Sequence, residues 1–298
     1  MKLSVTHETR YVYSSAVEQA HHVAHLAPID TFMQKVQDFE LIILPTPQAR
    51  SDSLDSYGQP CTYFEFSAPH DELVVTAQST VITSPRAFEI TGKLATVTVP
   101  KSNAWETVAE YMQYVAEQSF DAAREFSQPS PLAPTRAAFA RYASECASTS
   151  LPVFELAKKL CQRIHQEFKY EPLATDVSTP PMVAFEKKIG VCQDFAQVMI
   201  ACLRSVGLSA KYVSGYLLTN PPPGRPRMVG ADASHAWVAV YCPLAGWLEF
   251  DPTNDCFAGE GHVVVGYGRD YGDVPPLRGV IRGGGAHELK VAVTVAPM

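Results

Sequence analysis

From Leu3 to about Val99 the chain alternates apolar and polar positions with a period of two. Leu3, Val5, His7, Thr9, Tyr11 and Tyr13 fall on one face, and the runs ELIIL, CTYFEF and ELVVTAQSTVITS repeat the habit. Turn-forming clusters (SYGQP, SAPHD, TSP) separate these runs. The pattern predicts an all-β, sandwich-like first domain over residues 1–100. Beyond Pro100 the texture changes. AWETVAEYMQYVAEQ permits a helix, and the Ser/Pro-rich SQPSPLAP punctuates what reads as a helical connector across 101–150.

A second domain is predicted over 151–298. Leu156, Leu160, Ile164 and Phe168 recur at four-residue steps, as on one face of a helix. After Cys192 the apolar positions Phe195, Val198, Met199, Cys202, Leu203 and Val206 form a single stripe, closed by Gly207 as a C′ residue. AKYVSGYLL, HAWVAVY and WLEFD read as strands, and HVVVGY and HELKVAVTVA as a C-terminal β extension. The fold class expected is therefore α+β.

Composition narrows the function classes. The 298 residues are 46% hydrophobic and 18% charged with a net charge of −7, so a large core is expected and no basic surface for nucleic acid. The N-terminus MKLSVTHETRYVYSS lacks the charged and continuously apolar regions of a signal peptide, and no run approaches the ~18 apolar residues of a membrane span. A cytoplasmic protein without membrane partners is expected. Its seven scattered cysteines, an odd number, fit reduced thiols better than a disulfide framework.

Three residues stand out as candidate chemistry. Cys192 opens the striped helix but lies off its apolar face, where the helix dipole and unsatisfied N–H groups favour a thiolate and suit an oxyanion. Cys202 belongs to the stripe and is assigned to the core. The segments His235–Tyr241 and Trp247–Asp251 flank a five-residue turn, CPLAG, which suits an antiparallel hairpin. An odd loop pairs Tyr241 with Trp247, Ala239 with Glu249 and Trp237 with Asp251. His235 and Asp251 then share a face as diagonal neighbours, about 7–8 Å apart at the backbone. A nucleophilic thiol needs a base, and the base an orienting acceptor; the three residues can fill those roles. Other readings stay open: an inert thiol, a packing histidine, an aspartate that caps the turn at Pro252. A zinc site from His235, Cys242 and Cys256 would lack the close ligand pairs of structural zinc motifs. No acidic cluster suggests calcium, and no cofactor is called for.

The run GVCQDFAQVMIACLRSVGLSAKYVSGYL, followed by SHAWVAVY and GWLEFDPTND, resembles the core of the bacterial transglutaminase-like superfamily, in its cysteine-protease branch. THETRYVY, HHVAHLAP, DSYGQP and SAPHDELVV are similar to the β-rich domain that precedes this core, and GRDYGDVPP to a tail segment of the same branch. The resemblance implies a papain-like arrangement and a thioester mechanism, with Cys192 as nucleophile, His235 as acid and base, and Asp251 orienting the histidine. A peptide or protein amide is the implied substrate. A peptidase or amidase is the expected activity, with glutamine cross-linking as the alternative enzyme and a non-catalytic binding module as the rival class. Trp237 is expected either to wall the site or to pack the core. Arg269, Asp270 and Tyr271 are expected to lock the C-terminal segment to the core rather than to line the cleft.

Overall fold

The computed structural model describes residues 1–85, 101–117, 119–219 and 234–298. The first unit is built on β1 (Lys2–Ala24), whose early positions alternate buried and half-buried as the period of two requires. Strands β2 (Gln34–Leu44), β3 (Ala49–Leu54), β4 (Pro60–Phe66) and β5 (His70–Thr83) follow. Antiparallel to one another, β4 pairs with the second half of β1 and β5 with its first half. The β1–β5 register shifts between Val12 and Val17, and there the sheet curls into a half-barrel. The expected all-β layer is thus one coiled sheet. Its concave side is filled by Leu26, Leu41, Phe64, Phe66 and Leu73 among others. The expected boundary near residue 100 lies outside the described residues.

The connector contributes α1 (Trp105–Met112), shorter than the helix-permitting stretch because Gln113 is already extended, and α2 (Ala137–Ser144). Then come α3 (Val153–Glu167), β6 (Lys169–Tyr170), α4 (Pro181–Lys187), β7 (Ile189–Gly190) and α5 (Cys192–Ser205). The stripe foreseen on α5 is buried except at half-buried Val206, the helix is buried off the stripe as well, at Ala196, Gln197, Ile200, Ala201 and Arg204, and Gly207 closes it at φ +85° as a C′ residue. A five-stranded antiparallel sheet follows: β8 (Ala210–Leu217), β9 (Ser234–Cys242), β10 (Gly246–Asp251), β11 (Cys256–Phe257) and β12 (His262–Gly268), in the order β11-β10-β9-β8-β12. The helices pack on one face of it around Phe154, Leu160, Phe195, Met199, Val238 and Phe250.

The last strands, β13 (Leu277–Gly283) and β14 (His287–Pro297), were expected as an extension of the second domain. They hydrogen-bond instead to β1, antiparallel along its length, and so complete the first sheet. This closes the free edge of a long strand, which would otherwise offer unpaired backbone groups to another chain.

β12 is an edge strand, and glutamines of the first domain satisfy its outer side. Gln34 gives its amide N–H to the carbonyl of Val264 and accepts the Val264 N–H, both at 2.8 Å. Gln59 does the same for Tyr267 at 2.8 and 2.6 Å. Each side chain mimics one residue of a neighbouring strand. Leu3, Val5, Val81 and Val295 then pack on Tyr216, Val263 and Val265 across the interface. Gln34→Ala is expected to strand the Val264 N–H, leaving the Val264 carbonyl with the Ile29 N–H at 3.3 Å, and to lower stability by about 1–3 kcal/mol, read as a lower urea midpoint at unchanged slope.

Candidate active site

The sequence around Cys192 folds by a local back-reach. Asp194 turns its carboxylate towards the residues before the helix, where Oδ2 accepts the Val191 N–H at 2.8 Å and the Thr175 hydroxyl at 2.6 Å. A carboxylate there satisfies an amide N–H at the helix start and complements the dipole. It also explains Gly190, since a Cβ at that position would lie 2.5 Å from the same oxygen. Burial pushes the Asp194 carboxyl above its usual range, against the pull of those hydrogen bonds. Cys192 is thereby fixed as the first helical residue, half-buried, with the open N–H groups of the first turn beside it.

The hairpin has the register read from its loop length. Tyr241 pairs with Trp247 and Ala239 with Glu249, so His235 and Asp251 project from one face. His235 Nε2 meets Asp251 Oδ2 at 2.7 Å, which leaves Nδ1 as the ring nitrogen free to serve the thiol. Cys192 is among the groups that favour the charged form of that ring. Burial works against an imidazolium at 235. The charge and hydrogen bond of Asp251, with the contribution of Cys192, outweigh it and hold the ring's proton more firmly than in water. Burial likewise opposes the Asp251 carboxylate, and the His235 charge together with two histidine hydrogen bonds brings it well below the usual carboxylate range.

Asp251 makes both kinds of contact that the sequence left open, to the turn and to His235. Oδ1 caps the turn, accepting the N–H groups of Thr253 at 2.9 Å and Asn254 at 3.1 Å. Oδ2 takes three donors: His235, the Asn254 amide at 2.7 Å and His262 Nε2 at 3.1 Å. Asn254 and His262 escaped the sequence reading. Asn254 had a signal, because an Asx turn three residues long within DPTND returns its side chain to the carboxylate. His262 had none, since it arrives on β12 from across the sheet.

Trp237 is fully buried. It donates its indole N–H to Glu249 at 2.8 Å and lies stacked against His235 at 6.0 Å between ring centroids. Core packing and walling of the histidine are the same contact. Gly215 on β8 makes room for it, for a Cβ there would come within 2.6 Å of the indole and 2.0 Å of the Val263 carbonyl. Arg269, Asp270 and Tyr271 lie in the locking segment. Asp270 accepts the Leu132 and Gly272 N–H groups, Arg269 pairs with Asp273 at 3.0 Å, and the Arg269 carbonyl accepts buried Arg204.

Two metal arrangements can be weighed on geometry. Cys242 faces the helices, away from His235, with its sulfur against Asn103, so the zinc set with Cys256 is not assembled. The ligand atoms of His235, Asp251 and His262 do lie within 4.8 Å of one another. His262 Nδ1, however, accepts the Gly259 N–H at 3.1 Å, which places the ring proton on Nε2 and occupies the atom a cation would need.

Comparison with known proteins agrees with the fold and the order of motifs. Residues 3–82 match the family described as the bacterial transglutaminase-like N-terminal region, and residues 137–252 match the transglutaminase-like superfamily. Uncharacterized proteins of Mycobacterium tuberculosis and Mycobacterium leprae are 38% and 32% identical, covering 98% and 99% of this chain and 92% and 98% of their own. A Pseudomonas aeruginosa protein-glutamine gamma-glutamyltransferase is 34% identical over 30% of this chain and 14% of its own. In three dimensions, a Cytophaga hutchinsonii protein provisionally described as a cysteine protease superposes with a TM-score of 0.74 at 18% identity, over 99% of this chain and 90% of that one. The chain belongs to the bacterial transglutaminase-like superfamily, with its N-terminal region ahead of the transglutaminase-like core.

Proposed function

We propose that the protein is a cysteine-dependent amide hydrolase of peptides or proteins, working through a thioester on Cys192. The observation that carries this reading is the buried Asp251 carboxylate 2.7 Å from His235 Nε2, beside a helix-start thiol at Cys192 that favours the charged form of the same ring. The thiolate attacks the amide carbon, and the carbonyl oxygen takes up the negative charge against the Cys192 N–H. The imidazolium of His235 gives its Nδ1 proton to the departing amine as the C–N bond breaks, leaving the thioester. Water then loses a proton to the neutral ring as it attacks, and the acid leaves while the thiol regains its proton. Asp251 keeps the ring in one orientation throughout.

The same thioester can be taken by a primary amine, and the shared segment with a glutamyltransferase favours that as the second reading. A non-catalytic scaffold would have no need of the Asp251–His235 pair. The seven free cysteines suit the reducing cytoplasm, where we place the protein.

The test combines reactivity with products. Limited iodoacetamide near neutral pH should label Cys192 well ahead of the other six thiols, of which Cys202 and Cys256 are held protonated by burial. Glutamine-containing peptides, offered with and without a primary amine, should yield a shortened peptide or released ammonia. An amine adduct as the main product would replace hydrolysis by transfer. Unselective labelling with no product would sink the enzyme reading.

A further inference from the structure

We propose that His262 is a positioning residue of this centre: a neutral N–H donor that holds the Asp251 carboxylate towards His235. The inference rests on the acyl-transfer reading above. Its first support is the tautomer. An amide N–H can only donate, so the Gly259 N–H at 3.1 Å from Nδ1 leaves the proton of a neutral ring on Nε2, which lies 3.1 Å from Asp251 Oδ2. Backbone and ring grip each other here, because the His262 N–H returns to the Gly259 carbonyl at 2.9 Å.

The second support is packing. His262 is 8% exposed and lies T-shaped to Trp237 at 5.2 Å, while that indole stacks on His235. One buried aromatic therefore sets both imidazoles. The strand that starts at His262 is in turn pinned two residues later by Gln34 of the first domain. A chain of short contacts runs from that domain to the carboxylate.

The job such a donor does follows from the division of labour on Asp251. Backbone N–H groups secure Oδ1 alone. Without His262, only the Asn254 amide would share Oδ2 with His235, and one of the donors that set the direction of that oxygen would be lost. Two fixed donors leave one lone-pair direction for His235. Neutrality matters as well, since a cation at 262 would stand 6.0 Å from the imidazolium, measured between ring centroids, and oppose it. Nothing in this role requires His262 to touch the substrate.

The experiment compares Cys192 alkylation by iodoacetamide at neutral pH in the full chain, in His262→Leu and in His262→Gln. Leucine keeps bulk and removes the donor, whereas glutamine carries an amide N–H where the ring Nε2 sits. His262→Leu should slow labelling about tenfold or more, the equivalent of one hydrogen bond to a charged group, and His262→Gln should restore the greater part of the rate. Equal rates in all three proteins, or equal loss in both variants, would overturn the proposal. Should the leucine variant fail to fold, nitrogen-15 spectra of the parent decide: the neutral His262 ring must carry its proton on Nε2 and none on Nδ1. A proton on Nδ1 overturns the inference. A parent whose Cys192 reacts no faster than the other thiols defeats the acyl-transfer reading instead, and is recognised before any variant is compared.

Discussion

Cys192→Ala is expected to abolish product formation and thioester trapping while leaving the thermal unfolding curve nearly where it was. On the reading proposed above no other thiol can stand in for Cys192: Cys202 is fully buried in the α5 stripe, Cys161 is fully buried on α3, Cys242 is held against Asn103, and Cys256, paired with Asp251, is kept protonated by burial. Loss of a covalent route commonly removes several orders of magnitude of rate. The fold should tolerate the change because the side chain is half-buried at a helix end, and Asp194, not the thiol, ties that end to Val191 and Thr175. Cys202→Ser should behave in the opposite way. Placing a hydroxyl among Phe195, Met199 and Leu203 without a designed partner costs about 1–3 kcal/mol and should lower the melting temperature without ending turnover. A stable but inactive Cys202→Ser protein beside an active Cys192→Ala would mean that the wrong sulfur has been taken as nucleophile.

Much of this centre was legible because it is local. Loop length alone set the β9–β10 register, and with it the shared face of His235 and Asp251. The apolar spacing on α5 put Cys192 at its first turn and off its stripe. What stayed hidden depends on long-range pairing, to which a period of two or 3.6 is blind. Nothing in HELKVAVTVA distinguishes a strand that joins its own domain from one that pairs with Leu3–Tyr13, nearly the whole chain away. His262 reaches Asp251 only because β12 lies beside β8, three strands from β10 in the sheet. The half-barrel likewise goes with a break in the β1–β5 register at Val12–Val17, beyond which the buried positions of β1 switch from odd numbers, as at Leu3 and Val17, to even ones, Ala20, His22 and Ala24. Gly190 and Gly215 were silent in the sequence for a related reason: each makes room for a particular side chain, Asp194 or Trp237, that only the fold brings there.

Asp251→Asn is expected to lower turnover by roughly 10³–10⁴-fold, the scale seen when an orienting acid loses its charge but keeps its shape. The effect has two parts. An asparagine amide can present N–H to the ring and so favour the tautomer with its proton on the wrong nitrogen. It also removes the charge that holds His235 protonated, after which burial, the largest influence on that ring, is left to favour the neutral form. Without the imidazolium, the thiolate at Cys192 loses its neighbouring cation, so iodoacetamide labelling near neutral pH should slow in the variant. Stability should change with a definite pH dependence. His235 is raised in the folded state, so its share is fully present below its unfolded value near 6.5 and fades as pH rises through the folded value; Asp251 is depressed, so its share is present above about 3.9 and is lost as pH falls through the folded value. The parent's advantage over Asp251→Asn should therefore be greatest between about pH 4 and 6.5, shrinking on either side. Urea unfolding of both proteins from pH 4 to 9, alongside the pH profile of Cys192 labelling, measures the two parts separately. Superimposable labelling profiles would remove Asp251 from any action through His235, and a stability difference that does not vary with pH would mean that the two residues do not form a charged pair in the folded protein.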